Sequence, residues 1–223
     1  MKEFLRNLIT KLLRVDVKNF RDDTLASFSL NTIQNGLKLY HPYTGSALSP
    51  MNLKIVLNDI VIHQRKNIVE LGAGISTVYI AALLRTNKIK ATFTTIEENQ
   101  QWADILFSQL KEEGLDNYSN IVHVPIENRY YSKIHLENLK HSIEKIDCLI
   151  IDAPLATQDK KIRAEAIPNF IDIMSDKFSI FLDDCSRKGE KEIIEEWKKT
   201  YNLDFNIYNR LGICLKNGTS NII

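Results

Sequence analysis

Cysteine is sparse in this chain: Cys148, Cys185 and Cys214 are odd in number, far apart and without a CxxC pair. That pattern fits reduced thiols better than a disulfide framework or a zinc site, with Cys148 and Cys214 in strand-like runs. Glycine and proline are few as well, 8 and 5 among 223 residues, and nowhere do they gather into a linker. Division into several domains is therefore not indicated. No apolar run is long enough to cross a bilayer. The opening "MKEFLRNLITKLLRV" lacks the uninterrupted apolar core and small-residue cleavage site of a secretory signal, so a cytoplasmic location is the expectation. Neither sign of charge dominates, since 29 Lys and Arg against 28 Asp and Glu leave +1 without a basic block. The electrostatic footprint of a nucleic-acid binder is missing, which leaves a small molecule as the expected partner.

What is present suffices for one substantial core: 44% of the residues are hydrophobic. Residues 2–13 put Phe4, Leu5, Leu8, Ile9, Leu12 and Leu13 on one helical stripe. Such a stripe needs a cover, either the domain itself, a second copy in a homodimer, or a membrane surface. Residues 1–39 are read as an N-terminal helical extension and 40–223 as the domain proper. After a polar, mixed segment, Ser49 followed by Pro50 forms an N-cap and N1 pair that opens a helix of about fourteen residues. Strand and helix then alternate. Strands are predicted at 67–71, 91–96, 120–124, 146–152 and 178–183, and helices at about 76–86, 99–113, 158–175 and 188–200. The closing "LDFNIYNRLGICLK" suggests an antiparallel hairpin. This alternation, with buried-type strands such as "CLIID", predicts an α/β fold whose mostly parallel sheet is covered on both faces.

"NIVELGAGISTVYIAALL" reads as strand, tight glycine turn, helix. In open α/β sheets ligands bind where strand ends meet helix starts, and Gly72 and Gly74 let a backbone approach a ligand there. An ordinary tight turn is the plainer reading. A dinucleotide fingerprint requires a third glycine at position 77, where this chain has Thr77. Glu70, two residues before Gly72, suits a ligand with a cationic amino group better than a pyrophosphate. Glu97 ends the second strand, where an acidic side chain accepts both hydroxyls of a ribose; a solvated strand-end carboxylate is the alternative.

Four stretches, "VELGAGIST", "TTIEENQQWAD", "IDCLIIDAP" and "FLDDCSRKGE", together resemble the class I S-adenosylmethionine-dependent methyltransferases. They are most similar to a bacterial group with a "TGxxLSP" lead-in, an "ELGxGxST" turn and a late "LDDxxRxGE". The resemblance spans roughly residues 40–216. It implies a Rossmann-like, seven-stranded, mostly parallel sheet and S-adenosylmethionine as cofactor. It implies further that Glu70 anchors a network under the methionine end and that Gly72, Ala73 and Gly74 run beneath the cofactor. Glu97 would hold the ribose, while Glu98 and Glu127 fall where this fold contacts adenine. Ser76 stands where the group carries its last motif glycine, and its hydroxyl, beside Thr77, is a candidate for the cofactor carboxylate. Thr44 and Ser46 in the lead-in are candidates for the same carboxylate. Trp102, with Ile105 and Leu106, is read as core or adenine-side packing.

"LIIDAP" and "FLDD" place Asp152, Asp183 and Asp184 at the ends of neighbouring strands, about 4.8 Å apart in a parallel pair, so their carboxylates can converge. Left uncompensated they would repel, and a hard cation such as Mg²⁺ would relieve this. The arrangement is similar to the metal site of catechol-type O-methyltransferases, which implies a metal held by Asp152, Asp183 and Asp184 and catalysis at Asp152 and Asp183. Plainer alternatives are that Asp183 caps the next helix and that Asp152 meets only the cofactor's amino group. The lysine those enzymes carry three residues after the first aspartate is Leu155 here. Lys160, Arg163, Tyr130, Tyr131 and His41 are the stand-ins to consider, and Arg187 and Glu190 fit surface charges at a helix start. The sequence thus points to methylation of a small-molecule oxygen acceptor, a sugar or natural-product intermediate. A nicotinamide dehydrogenase, a non-catalytic binding module and an aminopropyl transferase compete with it.

Overall fold

The computed structural model describes residues 2–13, 17–155, 159–218 and 222–223. Three helices come first: α1 (Lys2–Leu13), α2 (Val17–Gln34) and α3 (Pro50–Ile62). Strand β1 (Asn67–Leu71), helix α4 (Ile75–Thr86), β2 (Thr92–Glu97), α5 (Gln100–Glu113) and β3 (Asn120–His123) follow. A small ribbon of β4 (Ile126–Glu127) and β5 (Tyr130–Tyr131) leads into α6 (Lys133–Lys140) and β6 (Ile146–Ile151). The chain then makes α7 (Ala166–Phe170), β7 (Met174–Leu182), α8 (Lys188–Tyr201), β8 (Asn206–Tyr208) and β9 (Leu211–Lys216).

Seven strands form one sheet in the order β3-β2-β1-β6-β7-β9-β8. β9 runs antiparallel to both its neighbours and the remaining pairs are parallel, so the predicted architecture and closing hairpin are found. Side chains alternate across the sheet, as a pleat requires. Ile68, Phe93, Cys148 and Phe181 join a core with α2, α3 and α4, whereas Val69, Leu149, Ile180 and Cys214 join a second core with α7 and α8. Register sets the site: Leu71 lies opposite Ile96 and Ile151, and Ile151 opposite Leu182. Residues 72, 97, 152 and 183, each one step further, therefore stand in a row along the same sheet end.

Ser49 caps α3 as read, its hydroxyl accepting from the Asn52 N–H at 3.3 Å with Pro50 in the first turn. One helix was not separately predicted and one expectation needs correction. The polar segment before the lead-in contains an 18-residue helix, α2, whose spaced Ala26, Leu30 and Ile33 are buried against α3 and α4. Burial of each larger side chain is worth roughly 1.5–3 kcal/mol, enough to settle a helix that also leaves Phe20, Leu25 and Phe28 exposed. Asp23 fixes it further by accepting from the Met51 N–H at 3.0 Å. The long helix expected at 158–175 is instead broken into a 3₁₀ turn (Ile162–Glu165), the short α7 and a second 3₁₀ turn (Ile171–Ile173), and β7 already starts at Met174. Pro168 explains this, because it is tolerated only in a first helical turn and so restarts the helix at Ala166; residue 158 itself lies outside the described residues. On α1, Phe4, Leu5, Leu8 and Ile9 are exposed, and the side chains of Leu12 and Leu13 lie outside the described residues. Among the described residues no helix is long and apolar enough to cross a membrane.

Candidate active site

The glycine turn between β1 and α4 is strapped on three sides. Gly72 N–H donates to Ile96 O at 2.8 Å, Ala73 N–H to Glu97 Oε2 at 2.8 Å, and Trp102 Nε1 to Ala73 O at 2.8 Å. Trp102 thus holds the turn as well as lining the space above it. The two glycines do different work. Gly72 has φ +97°, and a Cβ there would sit 2.7 Å from the Ala153 Cβ, so the protein itself demands glycine. Gly74 is extended, and a Cβ there would meet nothing within 4 Å. No protein contact requires that glycine, and the space it leaves is the cavity.

Beneath the turn, Glu70 is fully buried and Thr77 explains the missing third glycine. Gly74 N–H donates to Thr77 Oγ1 at 3.0 Å, and the same hydroxyl donates to Glu70 Oε2 at 2.7 Å, which also accepts from Thr95 Oγ1 at 3.0 Å. Glu70 Oε1 is buried without a partner. Burial pushes the Glu70 carboxyl up to about 7 despite these hydroxyls. Glu97 holds both ends of the turn region, with Oε2 on Ala73 N–H and Oε1 accepting from Asn99 N–H at 2.8 Å. Its carboxyl is raised by burial, against the pull of those two amides. None of the ion pairs among the described residues involves Glu70, Glu97 or Glu98.

One cavity of about 410 Å³ collects most of the expected positions. Gly72, Ala73, Gly74 and Ser76 form its floor, and Glu97 and Glu98 one wall. Thr44 and Ser46 from the lead-in and Asp152 from the end of β6 close it. Glu70 and Thr77 lie below the floor, and Glu127, exposed on β4, stands outside. The cavity also takes in Asn99 and Leu155, which sequence reasoning did not nominate as contacts.

At the far end Asp152, Asp183 and Asp184 each bring a carboxylate oxygen within 4.8 Å of the others. They are not uncompensated, contrary to the expectation. Arg163 lies 3.3 Å from Asp152 Oδ1 and 3.3 Å from Asp184 Oδ2, and Arg187 is 2.7 Å from the latter oxygen. Arg210 reaches Asp183 Oδ2 at 2.9 Å and Asp184 Oδ1 at 3.5 Å, while Asn52 Nδ2 donates to Asp183 Oδ1 at 2.7 Å. Asp183 therefore ties strand ends and α3 together and does not cap α8. Burial and then Asp183 push the Asp152 carboxyl well above the carboxylate range, and Arg163 pulls the other way. Arg187 and Glu190 are part of this network, with Glu190 buried and 3.7 Å from Arg187. Gly189 between them lies so close to Lys160 O that a Cβ would come within 2.3 Å of it, which accounts for the glycine of "RKGE".

The stand-in bases fall away from that task, Lys160 first, since it is exposed and does not line the cavity. Arg163 is buried, ion-paired and permanently charged. Tyr131 donates to Glu98 Oε2 at 3.3 Å, burial pushes the Tyr130 and Tyr131 phenols up, and His41 pairs with Glu113 at 3.1 Å outside the cavity. Arg210 was missed because "NRLG" reads only as a hairpin turn; nothing local ties it to Asp183.

Comparison with known proteins agrees with this geometry. Residues 69–185, more than half of the chain and spanning the glycine turn and the acidic cluster, match the family model described as a methyltransferase domain. Among solved structures, an O-methyltransferase from Bacillus cereus, in complex with SAH, superposes with TM-score 0.59 at 16% identity, covering 94% of this chain and 96% of that one. An O-methyltransferase from Streptomyces achromogenes, in complex with SAM, gives 0.59 at 15% identity over 95% of each chain. A methyltransferase from Podospora anserina, bound to SAH, gives 0.61 at 12% identity over 98% of this chain and 97% of that one. No curated protein matches the chain. With its glycine turn and its acidic strand ends inside the matched residues, the chain belongs to the methyltransferase-domain family.

Proposed function

We propose that this methyltransferase moves the methyl group of S-adenosylmethionine to an oxygen of a small molecule, such as a sugar or a natural-product intermediate. The observation that carries the reading is the cavity in which the glycine turn, Glu97 and Asp152 meet over an unpartnered, buried Glu70 oxygen. The residues fit that donor. Space above Gly74 admits a ligand against backbone, and three glutamates without a cationic neighbour favour a positively charged guest. Glu97 is the group for the ribose hydroxyls, Thr44, Ser46 and Ser76 for the methionine carboxylate, and Glu98 for the adenine side. Bound S-adenosylmethionine supplies a methyl group activated by its sulfonium. Asp152, at the junction of the cavity and the acidic cluster and held by Arg163 at 3.3 Å, is the group to take the acceptor's hydroxyl proton.

For Mg²⁺, which the acidic strand ends suggest, the donor set is decisive. The oxygens converge as a hard cation wants, yet three guanidiniums already satisfy them, so the residues do not fit a dication and no step runs through one. Pairing of two copies through α1 is part of the proposal, supported by the exposed Phe4, Leu5, Leu8 and Ile9. The test is incubation with methyl-labelled cofactor and a panel of hydroxylated acceptors. Acceptor-dependent label transfer with release of S-adenosylhomocysteine is expected, and protein that retains no cofactor would overturn the reading.

A further inference from the structure

Carboxylates grouped at strand ends invite a metal, and the question is what neutralises them. Around Asp152, Asp183 and Asp184 the protein supplies one guanidinium for each carboxylate. Arg163 is only 2% exposed and cannot swing out. Besides two aspartates it is held by Pro154 O and Asp183 O, both at 3.3 Å, and by a short bond to Asp152 O. Arg210 comes from the β8–β9 turn. It bonds both oxygens of Asp183 and also donates to Ala47 O at 3.2 Å, so the lead-in that walls the cavity is tied to the acidic pair. Arg187 completes the set from the start of α8 and touches the buried Glu190.

We propose that Arg163, Arg187 and Arg210 take the place of a divalent cation, making this a metal-independent methyltransferase whose acidic cluster is a salt-bridged hub. The inference goes beyond the proposed reaction and rests on it only for the word methyltransferase. Together the three guanidiniums offset the three carboxylates and repel a dication from the space where they converge, whereas loss of two of them leaves a net negative cluster that attracts one. Arg210 acts as a positioning residue, holding the lead-in against Asp183 where a metal would otherwise organise the acceptor end.

The test uses Mn²⁺ as a spectroscopic probe of the full chain, with free ion followed by electron paramagnetic resonance, with and without S-adenosylhomocysteine. Wild-type protein is expected to leave millimolar Mn²⁺ free in both conditions. R187Q/R210Q, which strips the two partly exposed guanidiniums, is expected to bind one Mn²⁺, and adding D184N is expected to abolish that binding. Stoichiometric binding by wild type that D184N removes would overturn the proposal, as would a folded R187Q/R210Q that binds nothing. Should the double variant lose its cooperative melt, R187Q alone takes its place, and the wild-type titration decides in any case. Failure of the cofactor reading shows separately, as no S-adenosylhomocysteine binding with the Mn²⁺ result unchanged.

Discussion

On the β1–β2 side of the cavity, Glu70, Glu97 and Glu98 are answered only by hydroxyls and backbone N–H groups. On the β6–β7 side, Asp152, Asp183 and Asp184 are answered by three arginines. The same chemical group, set at neighbouring strand ends of one sheet, is thus left open to a cation in one half and closed to it in the other. Buried carboxylates without counter-charge cost stability, which a fold tolerates where a ligand brings the charge. On the proposed reading the β1–β2 side, the left half, is where a cationic cofactor settles, and the β6–β7 side, the right half, is architecture that positions Asp152.

Substitutions on the two sides should separate accordingly. The largest effect falls on the right. Arg163→Met leaves Asp152 and Asp184 short of a buried partner and should cost about 3–5 kcal/mol in chemical denaturation. An unchanged midpoint would erase the distinction. Next comes the pair of glycines. Gly72→Ala meets a positive φ and the Ala153 Cβ, and should lose about 2 kcal/mol or more of stability. Gly74→Ala should melt like wild type while weakening cofactor binding roughly tenfold, because its added carbon enters only the cavity.

Glu97→Gln should behave as a left-side change. Cofactor affinity drops on the order of 10–100-fold, the worth of a charge-assisted hydrogen bond, with little loss of stability; a collapse of the melt instead would make Glu97 part of the architecture. The smallest and most graded effect is that of pH on Glu70. Its carboxyl stands at about 7 in the fold against an ordinary 4.5, so between these values the folded state holds more protons than the unfolded one. Stability from this group accordingly falls as pH rises from 4.5 to 7 and levels above. A cationic ligand favours the ionised form, so the rise in melting temperature on adding cofactor should grow as pH climbs through about 7, and Glu70→Gln should flatten that trend.

The left half was legible because its logic is local. One strand, one turn and one helix carry Glu70, Gly72, Gly74 and Thr77 within eight positions, and Glu97 follows from the end of the next strand. Thr77 read as a missing glycine, although its hydroxyl replaces what a third glycine would supply by relaying Gly74 N–H to Glu70. The right half was legible only as acids. Two of their counter-charges come from a 3₁₀ turn and a hairpin turn, neither of which announces an acidic partner 11 to 27 residues away, and the third, Arg187, stands three residues from Asp184 but reads as a surface charge at a helix start. The helix expected across 158–175 hid Arg163 in a regular element, whereas Pro168 breaks that run and places Arg163 in the turn facing the aspartates. Glu127 failed for the converse reason, since the two-residue strand β4 turns it outward.

The most direct measurement is a calorimetric titration of the full chain with S-adenosylmethionine, repeated on Glu97→Gln. One saturable site in wild type, much weakened in the variant, is the predicted result. Wild-type protein that gives no saturable heat, or a variant that binds as tightly as wild type, would contradict the assignment of the cation-free half as the cofactor cradle.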